Sequence, residues 1–271
     1  MKTYSSKFFA QKIKKLSLEM IFNSQSSHIG SCLSIADLIA VLYNDILFFD
    51  PKDANLKERD RFILSKGHAC AALYAALAVK GFFKINELSK FAQLNSKLMS
   101  HASHKVCGVE FSTGSLGHGL PFAVGKALSS KLRRQDWFVY VVLSDGELNE
   151  GSNWESLMFA AHHKIDNLCI IIDNNKLQSL TTTKKTLNLK SLKQKFKVFG
   201  LNTYEVDGHN HSELKKVLCK KVKKKNKPKI VIANTIKGNG IDFMENKVEW
   251  HYRSPDKDQY NTALKQIKSN L

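Results

Sequence analysis

Two short segments of this 271-residue chain set oxygen donors beside flexible backbone. Ser144-Asp145-Gly146-Glu147 follows the apolar run Phe138–Leu143, and Asp173-Asn174-Asn175-Lys176-Leu177 follows the apolar run Leu168–Ile172. Carboxylate and amide oxygens are the hard ligands that magnesium or calcium takes. Gly146 has no Cβ to keep backbone N–H groups away from a diphosphate. Alone, an Asp-Gly after a strand reads equally as a turn. The second oxygen-bearing strand end tips the balance toward a metal–diphosphate cradle. Of the ten histidines, His68 follows another apolar run and opens a helix, where an anion gains from the helix dipole. The glycine-rich loop Ser112–Gly119 also precedes a helix, a form equally common where no phosphate binds.

The apolar pattern indicates the elements that must carry these residues. Phe8, Phe9, Ile13, Leu16 and Met20 recur at helical spacing over 7–23, and the pattern returns over 34–43 and 69–80, the last stopped by Gly81. The first hundred residues therefore read as helical. The runs FVYVVL and LCIII are β-rich without alternation, as in strands buried on both faces. An amphipathic stretch over 153–163 separates them; TYEVDG, a lysine-rich helix and IVIANT follow. This order predicts an α/β fold, a doubly wound and mainly parallel sheet with helices on both faces. One domain spanning 1–271 is expected, with a surface helix or tail from about 256 to 271. In such a fold ligands bind beyond the carboxyl ends of the strands, where both oxygen-bearing segments fall.

The net charge of +18 would suit a polyanion, but the excess is almost all lysine, with only five arginines. Arginine is the better reader of bases and phosphates, so this composition argues against nucleic acid. The densest basic stretch, 215–229, reads as a solvated helix capped by Ser212, with Leu214, Val217 and Leu218 turned inward. Five scattered cysteines without C-x-x-C spacing read as reduced thiols. With no apolar run near the roughly 20 residues of a membrane span and no leader-like start, a cytoplasmic protein is expected.

Asp145-Gly146, followed 30 positions later by Asn175, resembles the thiamine-diphosphate signature that begins Gly-Asp-Gly and ends Asn-Asn, with Ser144 in place of the first glycine. The surrounding segment 144–178 is similar to transketolases throughout. So, in the same order, are SSHIGSCLSIADLIAVLY, FDPKD, RDRFILSKGHACAALYAAL, GVEFSTGSLGHGLPFAVGKAL and KGNGIDFMENKVEWHYRSP. The resemblance implies the diphosphate-binding domain of that family, with Asp145, Asn175 and the Leu177 carbonyl holding Mg2+ or Ca2+. It implies Gly114, Leu116, Gly146, His68 and His251 at the cofactor, His28 and His101 at the sugar, and Glu150 as a buried glutamate linking paired sites across a dimer. Lys66, Asp173 and His209 have less secure roles: a residue before a helix, an orienter of the metal loop, and a loop residue.

The implied reaction moves a two-carbon ketol unit from a ketose phosphate to an aldose phosphate, in the pentose phosphate pathway. The resemblance ends before any pyrimidine-binding domain, which implies a partner chain carrying it and a heterotetramer. The alternatives are a member of another thiamine-diphosphate enzyme, 1-deoxyxylulose-5-phosphate synthase-like, and a degenerate non-catalytic subunit. The second draws on departures from the family pattern: Ile29 and Ala102 stand where proline is usual, His118 where glutamine is more usual, and Ser144 in place of glycine.

Overall fold

The computed structural model describes residues 4–220 and 224–269. In chain order the helices are α1 (Ser6–Ser24), α2 (Ile29–Val41), α3 (Cys70–Lys80), α4 (Gly119–Leu132), α5 (Gly151–His162), α6 (Thr183–Thr186), α7 (Leu192–Val198), α8 (His211–Leu218) and α9 (Lys257–Ser269). Among the described residues five strands, β1 (Arg61–Leu64), β2 (Val139–Ser144), β3 (Leu168–Asn174), β4 (Asn202–Asp207) and β5 (Lys229–Asn234), pair in parallel in the order β1-β2-β3-β5-β4.

The unalternating runs follow from this topology, because both faces of the central strands are covered. Tyr140, Val142, Cys169, Ile171, Val231 and Ala233 pack in one core with buried residues of α1, α2, α3, α8 and α9. Their neighbours Val141, Leu143, Ile170, Ile172, Ile230 and Ile232 pack in the other with α4, α5 and Phe196 of α7. These helices thus stand over the two faces of the sheet, and every strand ends at one edge.

Several local expectations need correction. The first hundred residues are not all helical: Arg61–Leu64 is a strand, and four residues, the last three buried without alternation, carry too little pattern to separate strand from helix. Helix α2 begins at Ile29 rather than near Ser34 and runs into a π-helical turn over Leu42–Ile46. The 18-residue window Ile29–Ile46 is long and apolar enough to cross a membrane, yet 83% of it is buried in the fold, which makes it a core helix. Helix α8 is capped by Asn210, whose side chain accepts from Ser212 N and Glu213 N, and not by Ser212. In the basic stretch, Leu214, Val217 and Leu218 are buried while Lys215 and Lys216 are exposed; residues 221–223 lie outside the described residues. Lys229 is not solvated, because its buried ammonium donates to the Val217 and Cys219 carbonyls at 2.8 and 2.9 Å. The C-terminal stretch forms α9, which buries Ala263 and Ile267 and stacks Tyr260 on Phe22 at 4.1 Å between ring centroids.

Candidate active site

The parallel register sets Ser144 beside Asp173 and Asp173 beside Ala233, so three strand ends meet in one row. Asp173 is fully buried at its centre. Its carboxylate takes Lys66 Nζ at 2.5 Å, Ser34 Oγ at 2.7 Å, Asn175 Nδ2 at 3.1 Å and the Thr235 hydroxyl. Burial raises the Asp173 pKa, but the Lys66 ammonium and the hydrogen bonds from Lys66, Thr235 and Ser34 together outweigh it, and the carboxyl stays below its ordinary value. Lys66 is therefore not merely a residue before a helix. The bond from Asn175 Nδ2 orients that amide, and its Oδ1 accepts from Leu177 N at 3.0 Å.

Asp145 has the opposite balance. Burial and the neighbouring Asp173 charge push its carboxyl up to about 7, against the bonds it accepts from Lys176 N at 2.5 Å and Gly146 N at 2.8 Å. A buried carboxylate without a cation beside it is destabilised as an ion. Nearby, Gln178 Nε2 is buried with no hydrogen-bond partner among the described residues. A Cβ on Gly146 would lie 2.8 Å from Gln178 Cγ, so only glycine leaves this approach clear. No three His, Cys, Asp or Glu side chains form a metal cage among the described residues. The groups that the resemblance implies for a cation, the Asp145 carboxylate, the Asn175 amide and the Leu177 carbonyl, are oxygen donors of the kind magnesium and calcium take, and a ligand would have to bring further oxygens. An anionic ligand with a divalent cation would relieve both the Asp145 charge and the orphaned Gln178 amide.

Beside this cradle lies a pocket of about 220 Å³ lined by His28, His68, His101, Gly114, Leu116, Ser144, Gly146, Leu177, Gln178, Ser179, His251 and Tyr252. Its centre is a group of half-buried imidazoles: the His28 ring lies 5.2 Å from His68, 5.7 Å from His101 and 5.0 Å from His251, centroid to centroid. Each comes from a different part of the chain. His68 follows β1, His28 stands at the N-cap of α2, His101 lies in the loop toward α4, and His251 follows β5 on a short 3₁₀ turn. His28 holds a left-handed φ of 79° while its N–H donates to the His251 carbonyl at 2.9 Å. Such a conformation in a non-glycine residue costs about 1–3 kcal/mol and marks a position fixed by its surroundings.

Burial, followed by the charges of Lys237, Lys66 and the other rings, lowers His28 to about 4 and His251 to about 3, and drives His68 well below its ordinary value. Burial lowers His101 as well. All four are neutral at pH 7. Lys237 Nζ lies 2.9 Å from His251 Nδ1, so that nitrogen accepts and Nε2 carries the proton. Among the described residues, the ring nitrogens of His28, His68 and His101 have no hydrogen-bond partner. Three imidazoles with both nitrogens free, together with His251, which offers its Nε2–H, can hold hydroxyl or phosphate oxygens and move protons between them.

The structure thus gathers His28, His68, His101, His251, Gly114, Leu116, Gly146 and Leu177 around one pocket. Asp145 and Asn175 are buried just behind it. Asp145 also borders a second cleft, lined by Lys176, Lys184, Lys190 and Lys193. Glu150 is not brought to the pocket. It is exposed on this chain as the residue before α5, packed on Gly117. The buried glutamate is Glu147, whose carboxylate accepts from Gly117 N at 2.9 Å, Ser144 N at 3.3 Å and the Ser65 hydroxyl. Sequence reasoning missed Lys237, although it stands three residues beyond β5 and the strand-end rule that found Asp145 applies to it equally. Burial and repulsion from Lys66 lower its ammonium to about 8.

Residues 5–268 match the family described as transketolase, thiamine diphosphate binding domain. The chain belongs to the transketolase family. It is 41% identical over 261 residues to an apulose-4-phosphate transketolase subunit of Actinobacillus succinogenes, covering 96% of this chain and 94% of that one. It is 36% identical to a 6-deoxy-6-sulfo-D-fructose transketolase subunit of a Clostridium species, with 96% and 94% covered. The transketolase of Campylobacter jejuni superposes with a TM-score of 0.91 at 30% identity, over 97% of this chain and 42% of that chain. The chain therefore spans nearly all of the subunit-type transketolases and less than half of the Campylobacter enzyme. In this thiamine diphosphate binding fold, Gln178 and the four histidines line one pocket, and Lys237 bonds two of its residues.

Proposed function

We propose that this chain is the diphosphate-binding subunit of a two-chain transketolase that transfers a two-carbon ketol unit from a ketose phosphate to an aldose phosphate. The observation that carries the reading is the four-histidine pocket beside the Asp145–Asn175 cradle, in a chain that matches transketolase subunits over nearly their whole length. A cytoplasmic enzyme of the pentose phosphate pathway, paired with a pyrimidine-domain chain in a heterotetramer, fits that reading. Glu150 is then covered by a second copy of the assembly.

Magnesium or calcium would be held by the Asp145 carboxylate, the Asn175 amide oxygen and the Leu177 carbonyl, and the diphosphate would be met by His68, His251, Lys237 and the glycine-bounded backbone at Gly114 and Gly146. Thiamine diphosphate, when bound, supplies carbanion stabilisation at the two-carbon fragment. The chain's own residues bind, orient and move protons. His28 and His101 donate to substrate hydroxyls and take up the proton released as the carbonyl forms, since a neutral imidazole serves as acid or base. Lys237 keeps His251 in the tautomer whose Nε2–H points at ligand oxygens, and the buried Lys66–Asp173 pair supports Asn175.

Calorimetric titration of thiamine diphosphate into the chain mixed with its partner tests the cradle. Binding should require magnesium or calcium, and inorganic pyrophosphate should compete. Binding of equal strength with excess chelator would contradict the metal assignment.

A further inference from the structure

The motif Asp207-Gly208-His209-Asn210-His211 lies outside the pocket, yet its first histidine reaches the segment that carries Lys237. Asp37, on the buried face of α2, receives His209 Nδ1 at 2.8 Å, His211 Nε2 at 2.9 Å and Lys14 Nζ at 3.3 Å. Burial would raise its pKa, but the two histidines and Lys14 hold it well below the usual carboxylate range. The other nitrogen of His209, Nε2, accepts the Ile236 backbone N–H at 2.8 Å. A nitrogen that accepts carries no proton, so the proton of this imidazole sits on Nδ1 and donates to Asp37. Asp37 thereby fixes the tautomer, and the tautomer fixes which backbone group His209 can hold.

We infer that His209 is a positioning residue: held by Asp37, it anchors the backbone at Ile236 and so sets where Lys237 meets the diphosphate end of the cofactor pocket. The inference rests on that reading of the pocket. Around Ile236 the segment 234–238 is clasped from both sides. Gly208 N donates to Asn234 O at 2.8 Å, Gly238 N donates to Gly30 O at 3.0 Å, and a Cβ on Gly208 would run into the Thr235 side chain. Inside the clasp, Lys237 Nζ spans His251 Nδ1 at 2.9 Å and the Gln178 carbonyl at 3.2 Å. Lys14, the third partner of Asp37, also bonds Asn239 Oδ1 at 2.5 Å, so the carboxylate grips the same loop twice.

His211 supplies the internal control. It shares the Asp37 carboxylate, but its second nitrogen faces Ser6 Oγ at 2.9 Å, at the start of α1 and away from the loop. The experiment compares His209→Leu, His211→Leu and His209→Gln in the chain mixed with its partner. Thermal melting is read without ligand, and affinities for thiamine diphosphate with magnesium and for inorganic pyrophosphate are read by fluorescence titration. Both leucine variants should lower the melting temperature, because each deprives Asp37 of a partner. Only His209→Leu should weaken both ligands, by about tenfold (about 1.4 kcal/mol), since the Ile236 N–H without its acceptor leaves its place and Lys237 moves with it. His209→Gln, whose amide can donate to Asp37 and accept from Ile236, should recover most of the loss. Equal weakening by the two leucine variants, or unchanged affinity in His209→Leu, would overturn the inference. Failure of the wild-type protein to bind either ligand would overturn the reading of the pocket and the inference with it.

Discussion

Asp145→Asn is expected to leave the ligand-free chain more stable than wild type while abolishing metal-dependent cofactor binding. The carboxyl of Asp145 is held at about 7 against an ordinary 3.8, mainly by burial and then by the Asp173 charge. A group whose folded pKa is raised binds protons more tightly in the folded state. Folding therefore loses stability as pH rises from about 4 to about 7, and the loss is complete above that. At roughly 1.4 kcal/mol per unit the penalty in the ionised chain is at most on the order of 4 kcal/mol. An asparagine removes it but offers one acceptor oxygen, so either Lys176 N or Gly146 N loses a partner, at about 1–3 kcal/mol. A net gain of about 2 kcal/mol remains, worth about 5 °C in melting temperature. Differential scanning fluorimetry at pH 5 and pH 8 should show the variant's advantage growing with pH. A variant less stable than wild type at pH 8, or one that still binds cofactor with magnesium, contradicts this account of Asp145.

The second large effect is expected from Asp173→Ala, which leaves the Lys66 ammonium buried without its partner. Removing one member of a buried ion pair costs about 3–5 kcal/mol. Here the Ser34 and Thr235 hydroxyls and the Asn175 amide lose their acceptor as well. A fall in melting temperature of about 10 °C follows. The double variant Lys66→Met with Asp173→Ala should recover much of that fall, because the uncompensated charge is gone. It should not recover cofactor affinity, because Asn175 is no longer oriented. If the single variant melts within about 2 °C of wild type, the pair is not the support described here.

Much of this was legible in the sequence for a physical reason. Strands β2, β3 and β5 are buried on both faces, so FVYVVL, LCIII and IVIANT carry no polar alternation and announce a parallel sheet. The strand-end rule then reached Asp145 and Asn175, the helix start after an apolar run singled out His68, and the resemblance supplied His28, His101 and His251. What stayed hidden depends on tertiary context. The four residues of β1 are too few to show a period, and the left-handed φ of His28 cannot be inferred for a non-glycine residue.

The departures from the family pattern also need the structure to be understood. Ala102 stands where proline is usual, and its N–H donates to the Gly67 carbonyl at 3.1 Å, a bond proline cannot make. Ile29 occupies the first position of α2 and is fully buried; proline suits a first helical position, but His28 before it holds φ 79° and ψ 17°, whereas a residue preceding proline is driven to an extended conformation. Ser144, in place of glycine, accepts from Glu147 N at 3.2 Å. His118 is exposed beside the Leu116 carbonyl, and nothing in its contacts accounts for the choice of histidine over glutamine. The departures at Ala102 and Ser144 thus fit the local structure without closing the pocket.

The central claim is tested most directly by ketol transfer from xylulose 5-phosphate to ribose 5-phosphate, with magnesium and thiamine diphosphate, using this chain alone and then mixed with a pyrimidine-domain partner subunit. Transfer in the mixture and none with either chain alone is the predicted result. No transfer in a mixture that still binds the cofactor, with these or other ketose and aldose phosphates, would contradict it.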